Sequence, residues 1–269
     1  MAAAVTVLAG CATPMTDPAS LAQPGRYDVT LPGAEVALGG VLFRPAGSGE
    51  SVPAVIVLHG WAESGVNGAL RVASMARDLA DLGYVGLALS MRGWPPSGGF
   101  DDCGLRQPDD IARAAEWLAS LRGVDAGRIG VVGLSQGGQV ALLAAARSPR
   151  IKAVVAYFAV SDTERWRETT AVAGIRDDYV PRTCRPGAPR SPINFAGKIA
   201  APVLLVHGDA DTRVPTEQSL KMAEALRRSG RTVELKLIAG AGHGFQRDER
   251  AQAFASTRDF LAKNLSRGQ

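Results

Sequence analysis

The chain has 269 residues, 46% of them hydrophobic, with 30 basic and 26 acidic side chains and a formal net charge of +4. That is enough apolar content for a sizeable core and too little charge for a disordered chain. The basic excess is dispersed, with no tight Lys/Arg block, which argues against a nucleic-acid partner.

The N-terminus, MAAAVTVLAGCATPMTDP, is apolar from Ala2 to Ala9 and continues Gly10-Cys11. It resembles the lipobox of bacterial lipoproteins, in which the cysteine carries the lipid. Residues 1–25 are therefore expected to be a signal segment and tether, too short to span a bilayer as a helix. The expected location is the bacterial periplasm or outer membrane, attached through Cys11; a missing charged n-region keeps the cytoplasm as the alternative. Cys103 and Cys184 remain. In an oxidising compartment they could pair, and the other reading is two unrelated thiols.

From residue 26 the chain reads as one α/β domain ending at residue 269. RYDVTL and EVALGGVLFRP are alternating runs separated by Pro32-Gly33, a hairpin signal. AVIVLHG (Ala54–Gly60) is short, β-branched and bounded by Pro and Gly, so it reads as a buried strand. A helix over Ala69–Leu82 and a strand over Tyr84–Ser90 follow. Next come a helix over Asp109–Leu121, a strand over Arg128–Leu134 and a helix over Gln136–Ala146. Lys152–Phe158 and Ala201–Gly208 are further strands. Thr216–Arg228 is a helix, Thr232–Ile238 a strand and Glu249–Leu265 the last helix. Apolar strands alternating with helices predict a mostly parallel central sheet with helices on both faces. Residues 159–198 break the alternation and are too long for a plain connection. They read as a short cap insertion over the C-terminal edge of the sheet, or as an extended surface loop with one helix.

Gly133-Leu134-Ser135-Gln136-Gly137 matches G-x-S-x-G and lies between a predicted strand and a predicted helix, the context that motif requires. A sharp turn there strains the serine backbone, crowds out any side chain at Gly133 or Gly137, and aims helix N-terminal amides at the space before the hydroxyl. A serine hydroxyl needs a base to act as a nucleophile. In the fold that carries this motif the chain order is Ser, acid, His. Of the three histidines only His243, in GAGHGF, follows every candidate acid. The acid is expected in HGDADTRVP, where Asp209 and Asp211 are candidates. This loop resembles the HGxxDxxVP loop of α/β-hydrolases, which selects Asp211 and leaves Asp209 to bond backbone amides. His59 and His207 each end a predicted strand and read as structural residues bonded to nearby backbone.

AVIVLHGW, SMRGWPPSGG, RIGVVGLSQGG, PVLLVHGDADTRVP and GAGHGF, taken together and in this order, resemble the α/β-hydrolase superfamily. The nearest branch is dienelactone hydrolase-like and prolyl oligopeptidase-like. The resemblance covers roughly Tyr27 to the C-terminus. It implies a Ser135–His243–Asp211 triad and an oxyanion hole from the backbone N–H groups of Trp61 and Gln136. It implies hydrolysis of a small-molecule carboxylic ester, with no cofactor and no metal site. The Trp61 side chain could wall the acyl pocket or serve packing alone. Two departures matter. Dienelactone hydrolases use a cysteine where Ser135 stands, and no β-propeller precedes Tyr27 in this sequence. The alternatives are a periplasmic peptidase or amidase, with Arg165 or Arg182 on a peptide carboxylate, and a non-catalytic lipid-anchored binding protein. The oligomeric state is not readable from the sequence.

Overall fold

The computed structural model describes residues 14–46, 51–63, 65–185 and 187–266. Cys11 and its surroundings lie outside the described residues. The strands are β1 (Gly25–Pro32), β2 (Ala37–Arg44), β3 (Val52–Leu58), β4 (Val85–Leu89), β5 (Val124–Leu134), β6 (Ile151–Tyr157), β7 (Val203–Gly208) and β8 (Val233–Ile238). They form one eight-stranded sheet in the order β1-β2-β4-β3-β5-β6-β7-β8. The β1–β2 hairpin pairs antiparallel, and β2 meets β4 antiparallel. Every pairing from β4 through β8 is parallel. The parallel strands consequently end along one edge of the sheet, where an open α/β sheet presents its ligand crevice.

Central stretches such as Ala54–Leu58 and Val203–Val206 are apolar at every position because both sides are covered. Ala54, Ile56 and Leu58 of β3 point into one core, and Val55 and Val57 into the other. Val203 and Leu205 of β7 divide from Leu204 and Val206 in the same way. This is the period of two expected for a pleated strand. The first core is closed by α2 (Gln107–Ser120), α3 (Gln136–Arg147) and α6 (Glu217–Arg228), through side chains such as Ile111, Leu118, Val140, Leu142, Met222 and Leu226. The second is closed by α1 (Gly68–Asp81) and α7 (Arg247–Asn264), through Val72, Ala76, Leu79, Phe260 and Leu261. Asn67 caps α1 by accepting the Leu70 amide, and a capping box closes the start of α7.

Most element ends lie within two residues of the sequence reading, and two of the differences bear on the site. β5 starts at Val124 rather than Arg128, because Val124 already pairs with Val52 ahead of a register shift. β6 stops at Tyr157, and Phe158 turns to a φ of 36°.

Residues 159–198 form a small cap of short pieces. They are α4 (Thr163–Thr169), a π-turn (Ile175–Tyr179), the single turn α5 (Val180–Arg182) and 3₁₀ turns at Ala188–Arg190 and Pro192–Lys198. The cap has its own apolar centre of Val160, Trp166, Val180 and Cys184, closed below by Cys103 and Val214. A disulfide joins Cys103 to Cys184 with a Cα–Cα distance of 5.0 Å. It ties the cap to the loop after β4 across 81 residues of sequence.

Candidate active site

Ser135 stands between β5 and α3 with φ 53° and ψ −115°, a conformation an L-residue holds only when its surroundings impose it. Two close approaches impose it here. A Cβ on Gly133 would overlap the Gly137 carbonyl, and a Cβ on Gly137 would stand 2.5 Å from the His59 carbonyl oxygen. The Ser135 amide donates to the Tyr157 carbonyl at 2.9 Å, and its own carbonyl accepts the Gln139 amide at 3.1 Å. The serine is thus fixed by backbone on both sides, and the turn raises its hydroxyl at the strand ends.

The loops after β7 and β8 bring the other two groups to the same place. His243 Nε2 lies 3.1 Å from Ser135 Oγ, and His243 Nδ1 lies 2.7 Å from Asp211 Oδ2. A carboxylate on Nδ1 keeps the proton of the neutral ring there, so the Nε2 lone pair faces the serine hydroxyl. Asp211 Oδ1 accepts the amides of Arg213 and Val214, each at 2.9 Å. Burial alone would raise the Asp211 carboxyl. Hydrogen bonds from His207 and His243, the His243 charge and the Val214 amide outweigh burial and hold it well below the usual carboxylate range. Asp211 therefore stays ionised at neutral pH and offers an acceptor.

The remaining sequence candidates occupy other places. Asp209 Oδ1 accepts the Gly240 amide at 2.6 Å, which joins the β7 and β8 loops. His207 is fully buried, with Nδ1 2.7 Å from Ser219 Oγ and Nε2 2.8 Å from the Val214 carbonyl. Its Nε2 is also 3.4 Å from Asp211 Oδ2, so it backs the carboxylate from behind. His59 takes the Met91 amide on Nε2 at 3.0 Å and places Nδ1 2.8 Å from the Gly60 carbonyl. Burial lowers its pKa to about 4, so it is a neutral ring at neutral pH.

The turn after β3 presses on the serine: a Cβ on Gly60 would lie 3.2 Å from Ser135 Cβ. Trp61 follows at once and is 48% exposed. Gln136 is the first residue of α3, so its N–H is one of the amides a helix leaves without an internal partner. Arg165 and Arg182 lie in the cap. Arg165 pairs with Glu217 and Glu168, and Arg182 pairs with Asp178 at 2.6 Å. Among the described residues, no group of three His, Cys, Asp or Glu side chains is placed to hold a metal ion.

Three neighbours escaped the sequence reading. Phe158, bent to positive φ, sets its ring 4.7 Å from the His243 ring and 5.1 Å from Phe245, so the imidazole rests on an aromatic floor. Asp101 and Tyr179 meet the Gln136 side chain beside the serine. No local pattern marks them, because they lie 78 residues apart and come together only when the cap folds down.

The fold is that of an α/β-hydrolase of the serine hydrolase branch. A family model described as the prolyl oligopeptidase family matches residues 72–268, and the chain belongs to that family. It is 31% identical over 222 residues to a Salmonella typhimurium protein named "Putative carboxymethylenebutenolidase", an overlap of 77% of this chain and 73% of that one. It is 27% identical over 215 residues to a Bradyrhizobium protein named "Probable 2-oxo-3-(5-oxofuran-2-ylidene)propanoate lactonase", covering 76% of this chain and 77% of that one. Among solved structures it resembles a Mycobacterium tuberculosis puromycin-hydrolyzing peptidase, with a TM-score of 0.78 and 24% identity. That likeness covers 91% of this chain and 40% of the peptidase, so the chain spans about two fifths of that protein.

Proposed function

We propose that this chain hydrolyses a small carboxylic ester or lactone through an acyl-enzyme on Ser135. The observation that carries this reading is the unbroken hydrogen-bonded line from Ser135 Oγ through His243 to Asp211, at 3.1 and 2.7 Å. The names of the Salmonella and Bradyrhizobium relatives support it, since a lactone is a cyclic ester.

In the proposed cycle, Oγ attacks the carbonyl carbon while its proton passes to His243 Nε2. The imidazolium that forms is stabilised by Asp211. The developing oxyanion accepts from the backbone N–H groups of Trp61 and Gln136. Collapse breaks the C–O bond, and the leaving oxygen takes the proton from Nε2. With a lactone the leaving hydroxyl stays attached to the acyl group. Water, deprotonated by His243, then attacks the acyl-enzyme and returns Ser135 to its starting state.

A fluorophosphonate probe tests the reading directly. The wild type is expected to be labelled and Ser135→Ala to remain unlabelled, with ester and lactone turnover reduced by about 10⁵-fold or more in the variant. An unlabelled wild type with an intact circular-dichroism spectrum would overturn it.

A further inference from the structure

A closed ring of polar side chains forms on Gln136, the residue that follows the serine. Gln136 Nε2 donates to Asp101 Oδ1 at 2.6 Å. The Tyr179 hydroxyl donates to Asp101 Oδ2 at 2.9 Å and lies 3.1 Å from Gln136 Oε1. Asp101 is held in turn, because its Oδ1 also accepts the Cys103 amide at 2.9 Å and Gln107 Nε2 at 3.1 Å. Tyr179 touches the second amide-bearing residue as well. Its ring stands edge-on to the Trp61 ring at 5.6 Å and to Trp166 at 6.4 Å.

The disulfide is built into the same ring. Cys103 gives its amide to Asp101, and Cys184 gives its amide to the Tyr179 carbonyl at 3.3 Å. Each half-cystine therefore holds one member, and the Sγ–Sγ bond closes the outer loop. Gln139, one turn into α3, adds a strap: its Nε2 donates to the Arg190 carbonyl of the cap at 2.8 Å and to the Cys103 carbonyl at 3.3 Å. Burial, and next the Asp101 charge, raise the Tyr179 phenol well above its ordinary value, so it remains a donor through neutral pH.

We propose that Tyr179 is a positioning residue for the oxyanion hole: its hydroxyl, fixed from the cap by Cys103–Cys184, locks the Gln136 side chain through Asp101, and its ring braces Trp61. The physical reason is the strain at Ser135. The Ser135–Gln136 peptide carries a backbone that survives only if over-determined, and a donor misplaced by a fraction of an ångström forfeits much of its effect on the oxyanion. Gly133 and Gly137 fix the peptide from the sheet side. The ring fixes the side chain of the same residue from the cap side. This inference rests on the Ser135 reading above.

The test is a cycle of variants assayed on a p-nitrophenyl ester of a short acid. Tyr179→Phe keeps the ring and deletes the hydroxyl; kcat is expected to fall about tenfold with KM changed less than about twofold. Cys103→Ala/Cys184→Ala is expected to lower kcat comparably alone, and by far less when added to Tyr179→Phe, since both act through one network. An unchanged kcat in Tyr179→Phe, a loss confined to KM, or additive losses would each overturn the inference. Tyr179→Phe decides alone if the disulfide variant does not fold. Fluorophosphonate labelling separates the two readings. If wild type is labelled at Ser135 and Tyr179→Phe reacts at the same rate, only the role of Tyr179 falls. If the wild type is not labelled there, the nucleophile reading falls and takes this one with it.

Discussion

The edge of the sheet and the cap that leans over it hold their groups in different ways. At the edge, Ser135, Asp211 and His243 sit on turns whose shape is dictated by backbone. The serine has a φ of 53°, glycines beside it have no room for a Cβ, and two main-chain amides hold Asp211. In the cap, no strand among the described residues joins the sheet, and position comes from side chains: a disulfide, the Tyr179 hydroxyl and Gln139. Backbone placement is stiff and intolerant of change. Side-chain placement gives way gradually, and it is where a shared fold can change what it binds without losing its chemistry.

The largest expected break in that contrast is at Asp211. Asp211→Asn keeps the shape but offers His243 an amide in place of an anion, and kcat is expected to fall on the order of 10³–10⁴-fold. The wild type also draws from this carboxyl a pH-dependent contribution to stability with a defined direction, which the variant lacks. The carboxyl is held below its ordinary value in the folded protein, so its contribution is fully present above the unfolded-state value of about 4 and is lost as the pH falls below it. Urea midpoints of wild type and Asp211→Asn should thus differ most at neutral pH and converge on acidification. A gap that widened in acid would contradict this assignment of the anion. A smaller but more general effect is expected at Gly133. Gly133→Ala sets a methyl group against the Gly137 carbonyl at the start of α3, which has no room to withdraw, and should cost about 3 kcal/mol. Urea denaturation measures it, and a loss below about 0.5 kcal/mol would mean that the turn is looser than its contacts imply.

The two regions were also unequally legible from sequence. Fully apolar strands such as Ala54–Leu58 and Val203–Val206 announce a covered parallel sheet, because only burial on both faces permits them. Gly133 and Gly137 announce the turn, since spacing alone places them about the serine. Asp211 required the loop resemblance, because Asp209 stands only two residues away and differs in what it can reach. Phe158 was hidden for a different reason. It continues the apolar run of β6, and nothing local shows that it leaves the strand at φ 36° to lie under His243. Asp101 and Tyr179 were hidden because their meeting depends on the cap, whose pieces are too short to show any periodicity.

The smallest expected effect concerns the arginines of the cap. A peptidase that grips a peptide carboxylate through Arg165 or Arg182 needs a guanidinium with donors to spare near the serine. Arg165 is shared between Glu217 and Glu168, and Arg182 faces Asp178 while four-fifths exposed. Pairs of this kind are solvated and hold little energy, and their charge is already offset by a neighbour. Arg165→Ala and Arg182→Ala are therefore expected to leave kcat and KM unchanged for ester substrates, and to leave any peptide turnover unchanged as well. A rise in KM confined to substrates bearing a free carboxylate would reverse this reading. It would mean that the acidic partners give way when an anion binds, and that the cap reads substrate charge as well as bracing the Gln136 side chain.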